Sequence, residues 1–156
     1  MKLDVYFIDA FADKVFTGNP AAVIFTDIDD EKLMQKIASE NNLSETAFVN
    51  LTKDTNYIRW FSPLKEVDLC GHATLASGFV YFNFINKDEN EVTFMSASGE
   101  LSVKRNDDLY ELNFPKDNLI KIDLKDQVAD SIGVKPIETY IGDINLFAIL
   151  DSEDAI

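Results

Sequence analysis

The stretch from residue 69 to residue 86 contains no Asp, Glu, Lys or Arg, and it constrains the fold of this chain more than any other feature. Its apolar residues predict a helix that begins around Gly71–His72 and runs through Leu75, Phe79 and Phe82. The stretch approaches the length of a membrane span, but it is too polar for that role because it contains His72, Thr74, Ser77, Asn83 and Asn86. Because it is apolar on nearly every side, we expect this helix to lie against a sheet as the central helix of its domain.

Composition limits both the number of domains and the classes of partner. The 156 residues, of which 46% are hydrophobic, suffice for one ordinary core, or for one domain plus part of another. The formal net charge of -14 repels phosphate backbones and anionic membrane surfaces, so we expect neither nucleic acid nor a membrane as a partner. The N-terminus carries Asp4 and Asp9 where a signal peptide needs an apolar core, which predicts a cytoplasmic protein.

Alternation and turn residues predict the other elements of the first 115 residues. A strand is indicated where Leu3, Val5 and Phe7 alternate with other residues, and further strands are predicted at 21–25, 46–51, 57–61 and 109–114. A helix is expected to begin after Asp29 or Asp30 and to end near Asn41–Asn42. A hairpin joins 91–98 to 101–104, with Gly99–Glu100 in a type II′ turn.

The remaining residues predict the start of a second unit. A linker at Lys116–Asn118 separates a first domain, 1–115, from residues 116–156, where a helix at 126–132 and strands at 137–141 and 145–150 are expected. About 40 residues are fewer than a domain usually has. We interpret this part as a linker and an incomplete second domain. Its uncovered apolar strands are expected either to be poorly ordered or to self-associate through residues 137–150.

Cys70 and His72 are the only cysteine and the only histidine, and Gly71 alone separates them. Imidazole titrates near neutral pH and thiols are the next easiest groups to tune, so this tripeptide is the first candidate for chemistry. A buried cysteine beside a histidine that caps a helix is the simpler interpretation, because both are common structural roles. The carboxylate expected to work with them is Glu45, which lies at a predicted junction between a helix and a strand.

The residue counts also limit metal and redox chemistry. One cysteine and one histidine cannot form a Cys/His zinc site, a disulfide or a Cys-x-x-Cys redox pair. A metal site made of carboxylates alone stays open, although the sequence has no Asp-x-Asp loop of the calcium-binding type. The free N–H groups at the start of the central helix, beside Cys70 and His72, predict a binding site for a carboxylate.

Five short motifs follow one another along the chain with regular spacing. They are Asp9-Ala10-Phe11, Phe16-Thr17-Gly18-Asn19-Pro20-Ala21-Ala22-Val23, Asn42-Leu43-Ser44-Glu45-Thr46-Ala47-Phe48, Arg59-Trp60-Phe61-Ser62-Pro63 and Cys70-Gly71-His72-Ala73-Thr74-Leu75-Ala76. In these motifs the sequence resembles the PhzF-like family of phenazine biosynthesis. The resemblance implies an α/β (α+β) fold of the diaminopimelate-epimerase type, in which two similar halves each wrap a curved sheet around a central helix and the active site lies in the cleft between them.

The resemblance also implies residue roles and an activity. Glu45 corresponds to the catalytic acid/base of a cofactor-independent isomerase, and His72 and Gly71 correspond to residues that line the substrate pocket. Ala73 and Thr74 belong to the same motif, and Asn19 and Ser44 are further pocket candidates. The substrate is expected to be a small carboxylate-bearing metabolite, and no metal or organic cofactor is required.

Two alternatives to this activity stay open. Cys-Gly-His also resembles the thiol-bearing motif of proline-racemase and diaminopimelate-epimerase relatives, although Cys70 has no second thiol to act with. The family's second half carries a Thr-Gly-Ser motif that is missing between Lys116 and Ile156. The chain is therefore expected to be inactive alone. It would act with a separately encoded C-terminal half, or serve as a non-enzymatic interaction protein.

Overall fold

The computed structural model describes residues 1–14, 16–143 and 145–155, which form two compact units, Met1–Phe114 and Pro115–Ile156. The first unit contains one mixed sheet. Its strands are β1 (Tyr6–Ala10), β2 (Asn19–Phe25), β3 (Glu45–Leu51), β4 (Asn56–Phe61), β5 (Glu66–Val67), β6 (Glu91–Ser96), β7 (Gly99–Asn106) and β8 (Leu109–Asn113). The strand order is β1-β2-β3-β4-β6-β7-β8, with β5 paired to β4 alone. Two neighbouring pairs, β2 with β3 and β4 with β6, are parallel, and the others are antiparallel.

The sheet curls around one helix, α2 (Gly71–Val80). This helix contacts β1, β2, β3, β7 and β8, and therefore both outer strands of the sheet. One helix can touch both edges only if the sheet bends around it. The helix continues into a π-helical turn, Tyr81–Ile85, in which Phe82 is fully buried. The predicted central helix and curved sheet are thus confirmed. No helix among the described residues is both long and apolar enough to cross a membrane.

A second helix, α1 (Glu31–Asn41), packs on the opposite face of the sheet. The Asp30 carboxylate caps it by accepting hydrogen bonds from the N–H groups of Lys32 and Leu33, at 3.0 and 3.2 Å. Asn42 ends it in the left-handed conformation, with φ 51°. Both ends lie where the sequence predicted them, and the second end sets the position at which β3 begins.

Two predictions about strands are wrong: the start and inward side of the first strand, and the position of the hairpin turn. The first strand begins at Tyr6 rather than Leu3, and its inward side is formed by Tyr6 and Ile8. Phe7 is 64% exposed, because it lies on the opposite side from those two residues. The hairpin turn consists of residues 97 and 98, since Ser96 already pairs with Gly99. The positive φ that requires glycine, 100° at Gly99, follows the turn instead of lying inside it.

The second unit, Pro115–Ile156, has a three-stranded sheet and one helix. The sheet order is β11-β10-β9, from β9 (Ile120–Ile122), β10 (Glu138–Ile141) and β11 (Leu146–Ile149), and α3 is Lys125–Ile132. The sequence did not predict β9. Much apolar surface is uncovered in this unit: Leu146 is 49% exposed and Ile149 47% exposed, and Ile120, Ile132, Ile137 and Ile141 are exposed as well.

The close packing of α2 on β7 can be tested by a substitution at Gly78. A Cβ atom added at Gly78 would lie 2.5 Å from Val103 Cγ1 and 2.8 Å from Val103 Cβ. We expect Gly78→Ala to lower the free energy of unfolding by about 1–3 kcal/mol, because this overlap exceeds the gain in helix propensity of about 1 kcal/mol. Urea unfolding measures the change.

The double variant Gly78→Ala/Val103→Ala is the matched control. It removes the 2.5 Å overlap with Val103 Cγ1 and leaves only the 2.8 Å contact with Cβ, so it should lose less stability than the sum of its two single variants. A single Gly78→Ala variant that is more stable than the natural chain would show that helix propensity dominates and that this contact is loose.

Candidate functional site

The parallel pairing of β2 with β3 brings two motifs together. Ala21 is the register partner of Glu45, so Asn19 and Pro20 lie beside Ser44. The Ser44 hydroxyl lies 3.3 Å from Asn19 Oδ1 and 3.3 Å from the carbonyl oxygen of Pro20. Glu45 is the first residue of β3, and along the alternation of the strand it shares a face with Ala47 and Val49, whose side chains pack in the core around α2.

The start of α2 supplies the third segment of the site. Cys70 is its N-cap residue, with an extended backbone. His72 Nε2 lies 3.3 Å from Ser44 Oγ and 3.5 Å from Glu45 Oε2. The second distance is within ion-pair range but long for a hydrogen bond. Glu45, Ser44 and His72 are therefore neighbours in the structure, as the motifs predicted.

The thiol of Cys70 lies on the other side of the imidazole ring. Its Sγ atom is 3.5 Å from His72 Nδ1, and only 7% of the residue is exposed. The pKa of the Cys70 thiol is raised to about 12, mainly by burial. The nearby Glu45 carboxylate also raises this pKa, and the Ala73 N–H group opposes the increase. The thiol is therefore protonated at neutral pH and is neither a nucleophile nor a base there.

Burial also controls the imidazole of His72. Desolvation lowers the pKa of His72 from its ordinary value of 6.5, and the Glu45 charge and the Pro20 carbonyl group oppose this effect without reversing it. At neutral pH the ring is therefore neutral. A neutral imidazole can donate one hydrogen bond and accept another, but it does not form a full ion pair with Glu45.

The same three side chains form a mixed cluster that the residue counts did not consider. Glu45, Cys70 and His72 offer ligand atoms that all lie within 4.8 Å of one another, a spacing at which a cation could be held. The residue counts exclude four-ligand Cys/His zinc sites, but they overlooked a mixed set completed by a carboxylate. The two ring nitrogens, however, face different partners, with Nδ1 toward the thiol and Nε2 toward the carboxylate. This arrangement fits a chain of hydrogen bonds better than a single metal ion.

The other predicted site residues lie close by but play different structural roles. Ala73 and Thr74 are fully buried, and the Thr74 hydroxyl donates to the Cys70 carbonyl group at 2.5 Å. Gly71 would accept a Cβ atom at 3.5 Å from Phe114, an ordinary contact. The sequence did not single out Pro20, because a backbone carbonyl group carries no signal in residue type. Only the parallel pairing of β2 with β3 shows that the Pro20 carbonyl group lies beside Ser44.

The lone histidine makes its own pKa measurable. We expect the His72 imidazole to titrate below 6.5 in the folded chain, as followed by NMR of its ring protons. Unfolding restores the ordinary pKa, so below pH 6.5 the unfolded chain binds a proton that the folded chain does not. The contribution of His72 to stability should thus be complete above pH 6.5 and should decrease as pH falls from 6.5 toward the lowered pKa.

Urea unfolding at a series of pH values measures this loss, and His72→Asn is the control. The variant lacks the titrating ring, so its stability should fall less steeply than that of the natural chain over the same range. An NMR pKa above 6.5 would contradict the dominance of desolvation.

Comparisons with known proteins bear on the family and the fold. The family model of the phenazine biosynthesis-like proteins (PhzC-PhzF) matches residues 8–136. An uncharacterized isomerase of Pseudomonas aeruginosa is 43% identical over 159 residues, which cover 100% of this chain and 60% of that protein. The crystal structure of a PhzF-family protein from Enterococcus faecalis is 43% identical with a TM-score of 0.90, again over 100% and 60% of the two chains.

A predicted epimerase from Pseudomonas aeruginosa, 19% identical with a TM-score of 0.76, shows the fold alone. By the coverage of the isomerase and of the Enterococcus faecalis structure, this chain spans about 60% of the length of its first relatives. The predicted family and fold class are both confirmed. The chain belongs to the phenazine biosynthesis-like, or PhzF, family.

Proposed function

We propose that this chain carries the proton-transfer site of a PhzF-like, cofactor-independent isomerase. The observation that supports this most directly is the distance of 3.5 Å between the Glu45 carboxylate and Nε2 of a buried, neutral His72. In this proposal Glu45 removes a proton from a carbon of a small carboxylate-bearing metabolite and returns it at another position. Relatives of this chain carry the name isomerase, which is consistent with this class of reaction.

Binding of the substrate follows from the position of the site at a helix start. The first N–H groups of α2 have no partner within the helix, and they lie on the same short segment as His72. A substrate carboxylate placed there would be favoured by the helix dipole, which offsets the net negative charge of the chain. His72 would then donate a hydrogen bond toward the charge that develops during proton transfer.

The thiol-dependent alternative is less well supported. A racemase that uses Cys70 would need the thiolate, but this thiol is buried and its pKa is raised to about 12. Glu45 is the nearby carboxylate, with Oε2 at 3.5 Å from His72 Nε2. We therefore assign the base to Glu45 and a supporting position to Cys70.

The length of the relatives supports a further part of the proposal. Because the chain matches about 60% of each of the first relatives, we propose that it needs the remaining part, as a separate polypeptide or as a continuation, to complete the active site. The 156 residues alone are expected to be inactive. In this view the partner is the C-terminal part of a PhzF-family protein.

Isotope exchange tests the role of Glu45. The chain is mixed with the C-terminal part of the Enterococcus faecalis relative and incubated in D2O with a set of amino acids and diene carboxylic acids. Mass spectrometry then measures deuterium uptake. We expect uptake by the mixture, and we expect Glu45→Gln to slow it by roughly 10²- to 10⁴-fold, because the variant lacks the general acid/base.

Glu40→Gln, which changes an exposed carboxylate on α1, is the matched control and should leave the rate unchanged. Equal rates in Glu45→Gln and the natural chain would contradict the assignment. Uptake by the chain alone, lost in Glu45→Gln, would contradict the inactivity but support the role of Glu45.

The exposed aliphatic side chains of the second unit favour a second candidate, a non-enzymatic interaction protein. Leu146 and Ile149 each expose about half of their surface on β11, an edge strand. If this surface drives self-association, Leu146→Lys/Ile149→Lys should shift sedimentation of the chain from dimer or larger species to monomer. Leu119→Lys, at another half-exposed residue outside the strands, is the control. A natural chain that sediments as a monomer at every concentration would contradict this candidate.

A further inference from the structure

The two nitrogens of the His72 ring face chemically different groups. Around Nε2 lie the Ser44 hydroxyl at 3.3 Å and the Glu45 carboxylate at 3.5 Å, and the Pro20 carbonyl group also contacts the ring. Facing Nδ1 is the Cys70 thiol, at 3.5 Å from Sγ. The tautomer of this histidine can therefore be deduced from which neighbours carry a proton.

On the Nε2 side the neighbours are acceptors. The Glu45 carboxylate has no proton to donate to the ring and accepts from it. The Ser44 hydroxyl has one proton, and it has two other acceptors for it at 3.3 Å, Pro20 O and Asn19 Oδ1. Its lone pair is then free to accept from the ring. Both neighbours of Nε2 thus favour a proton on this nitrogen.

On the Nδ1 side the neighbour is a donor. A neutral imidazole carries a proton on one nitrogen only, so Nδ1 holds a lone pair. The side chain of His72 is 9% exposed, and a buried acceptor without a donor is unfavourable. The Glu45 carboxylate is a second acceptor for the thiol proton, but it can also accept from Nε2–H, whereas the thiol is the donor that faces Nδ1.

We infer that Cys70 is a positioning residue whose S–H group donates to His72 Nδ1 and thereby holds the histidine proton on Nε2, where it faces Glu45. Burial keeps this thiol protonated, as its raised pKa requires. The tautomer follows from contacts alone, while its consequence for catalysis rests on the proposed isomerase function. In that function His72 donates a hydrogen bond beside Glu45, and its Nε2 atom does not compete with Glu45 as a base.

The position of Cys70 explains how its S–H group, a weak donor, can hold the His72 imidazole ring in one orientation. As the N-cap residue of α2 it precedes His72 by two positions, and its carbonyl group is bound by the Thr74 hydroxyl at 2.5 Å. Both Cys70 and His72 are buried, so neither side chain loses many conformations in making the contact. The pair is therefore organised before any substrate binds.

NMR of the single histidine tests this inference directly. The 156-residue chain is produced with ring-¹⁵N-labelled histidine, and long-range ¹H–¹⁵N correlation at neutral pH reports the protonation of each nitrogen. We expect a protonated Nε2 and an unprotonated, hydrogen-bonded Nδ1. In Cys70→Ala the Nδ1 resonance should move downfield as its donor is lost, and in Cys70→Ser it should stay near its natural position because a hydroxyl group donates.

Ser77→Ala is the matched control, because it removes a buried hydroxyl group of α2 that donates to the Ala73 carbonyl at 2.7 Å and not to His72. This variant should leave both ring resonances unchanged. A proton on Nδ1 in the natural chain, or an Nδ1 resonance that does not move in Cys70→Ala, would overturn the inference. If Cys70→Ala does not fold, the natural tautomer and Cys70→Ser still decide it.

Exchange measurements then separate this inference from the proposed function. With the C-terminal part present, Cys70→Ala should exchange roughly two- to tenfold more slowly than the natural protein, the size expected for one hydrogen bond, and Cys70→Ser should recover most of the rate. A shifted Nδ1 resonance with an unchanged rate would overturn the catalytic consequence while leaving the tautomer assignment in place. Absence of exchange in all variants would overturn the isomerase proposal alone.

Discussion

Burial of α2 is the constraint on which the first unit depends. A helix without charged side chains from Gly71 to Val80 cannot be half exposed, and one flat sheet would cover only one of its sides. The sheet therefore curls until β1 and β8, its two outer strands, both contact the helix. Small residues make this possible, because at Gly78 the backbone approaches Val103 more closely than any side chain would permit.

The candidate site is a consequence of the same arrangement. Because the helix is enclosed along its length, its polar groups can meet polar groups of other elements only at its ends. Its N-terminal end contains Cys70 and His72, and the parallel pair β2–β3 begins beside it with Pro20, Ser44 and Glu45. Glu45 is held by β3 and His72 by α2, so no flexible loop is needed to bring these two side chains together.

Sequence predicted those parts of the fold that depend on local rules. The Asp30 cap, the left-handed Asn42 and the apolar central helix each follow from a few neighbouring residues. The predictions failed where the answer depends on partners distant in sequence. Nothing local distinguishes the two faces of β1, because Phe7 and Ile8 are both apolar, and only the position of α2 decides that Phe7 points outward. Short strands such as β5 exist only because β4 lies beside them.

The site was predicted in the same partial way. The motifs identified Glu45 and His72, which do lie together, but residue types could not show how the imidazole ring is oriented. The Pro20 carbonyl group and the thiol of Cys70 gain their roles from distances and burial that only the folded chain provides. The counts of cysteine and histidine likewise missed the mixed Glu-Cys-His cluster, since counting ignores carboxylates brought in by the fold.

The pairing of β2 with β3 links the chemistry of the site to the accuracy of folding. Thr46, the residue after Glu45, points to the opposite face, where it is buried and accepts a hydrogen bond from Asn41 at 3.1 Å. A slip of one residue would exchange the two faces, leaving threonine next to His72 and placing the Glu45 carboxylate on the face that carries Ile24 and Phe61. Such a chain would bury an unpaired charge as well as lose its acid/base. Molecules with this wrong pairing would therefore be less stable as well as inactive. The residue proposed for catalysis thus also helps to specify the fold.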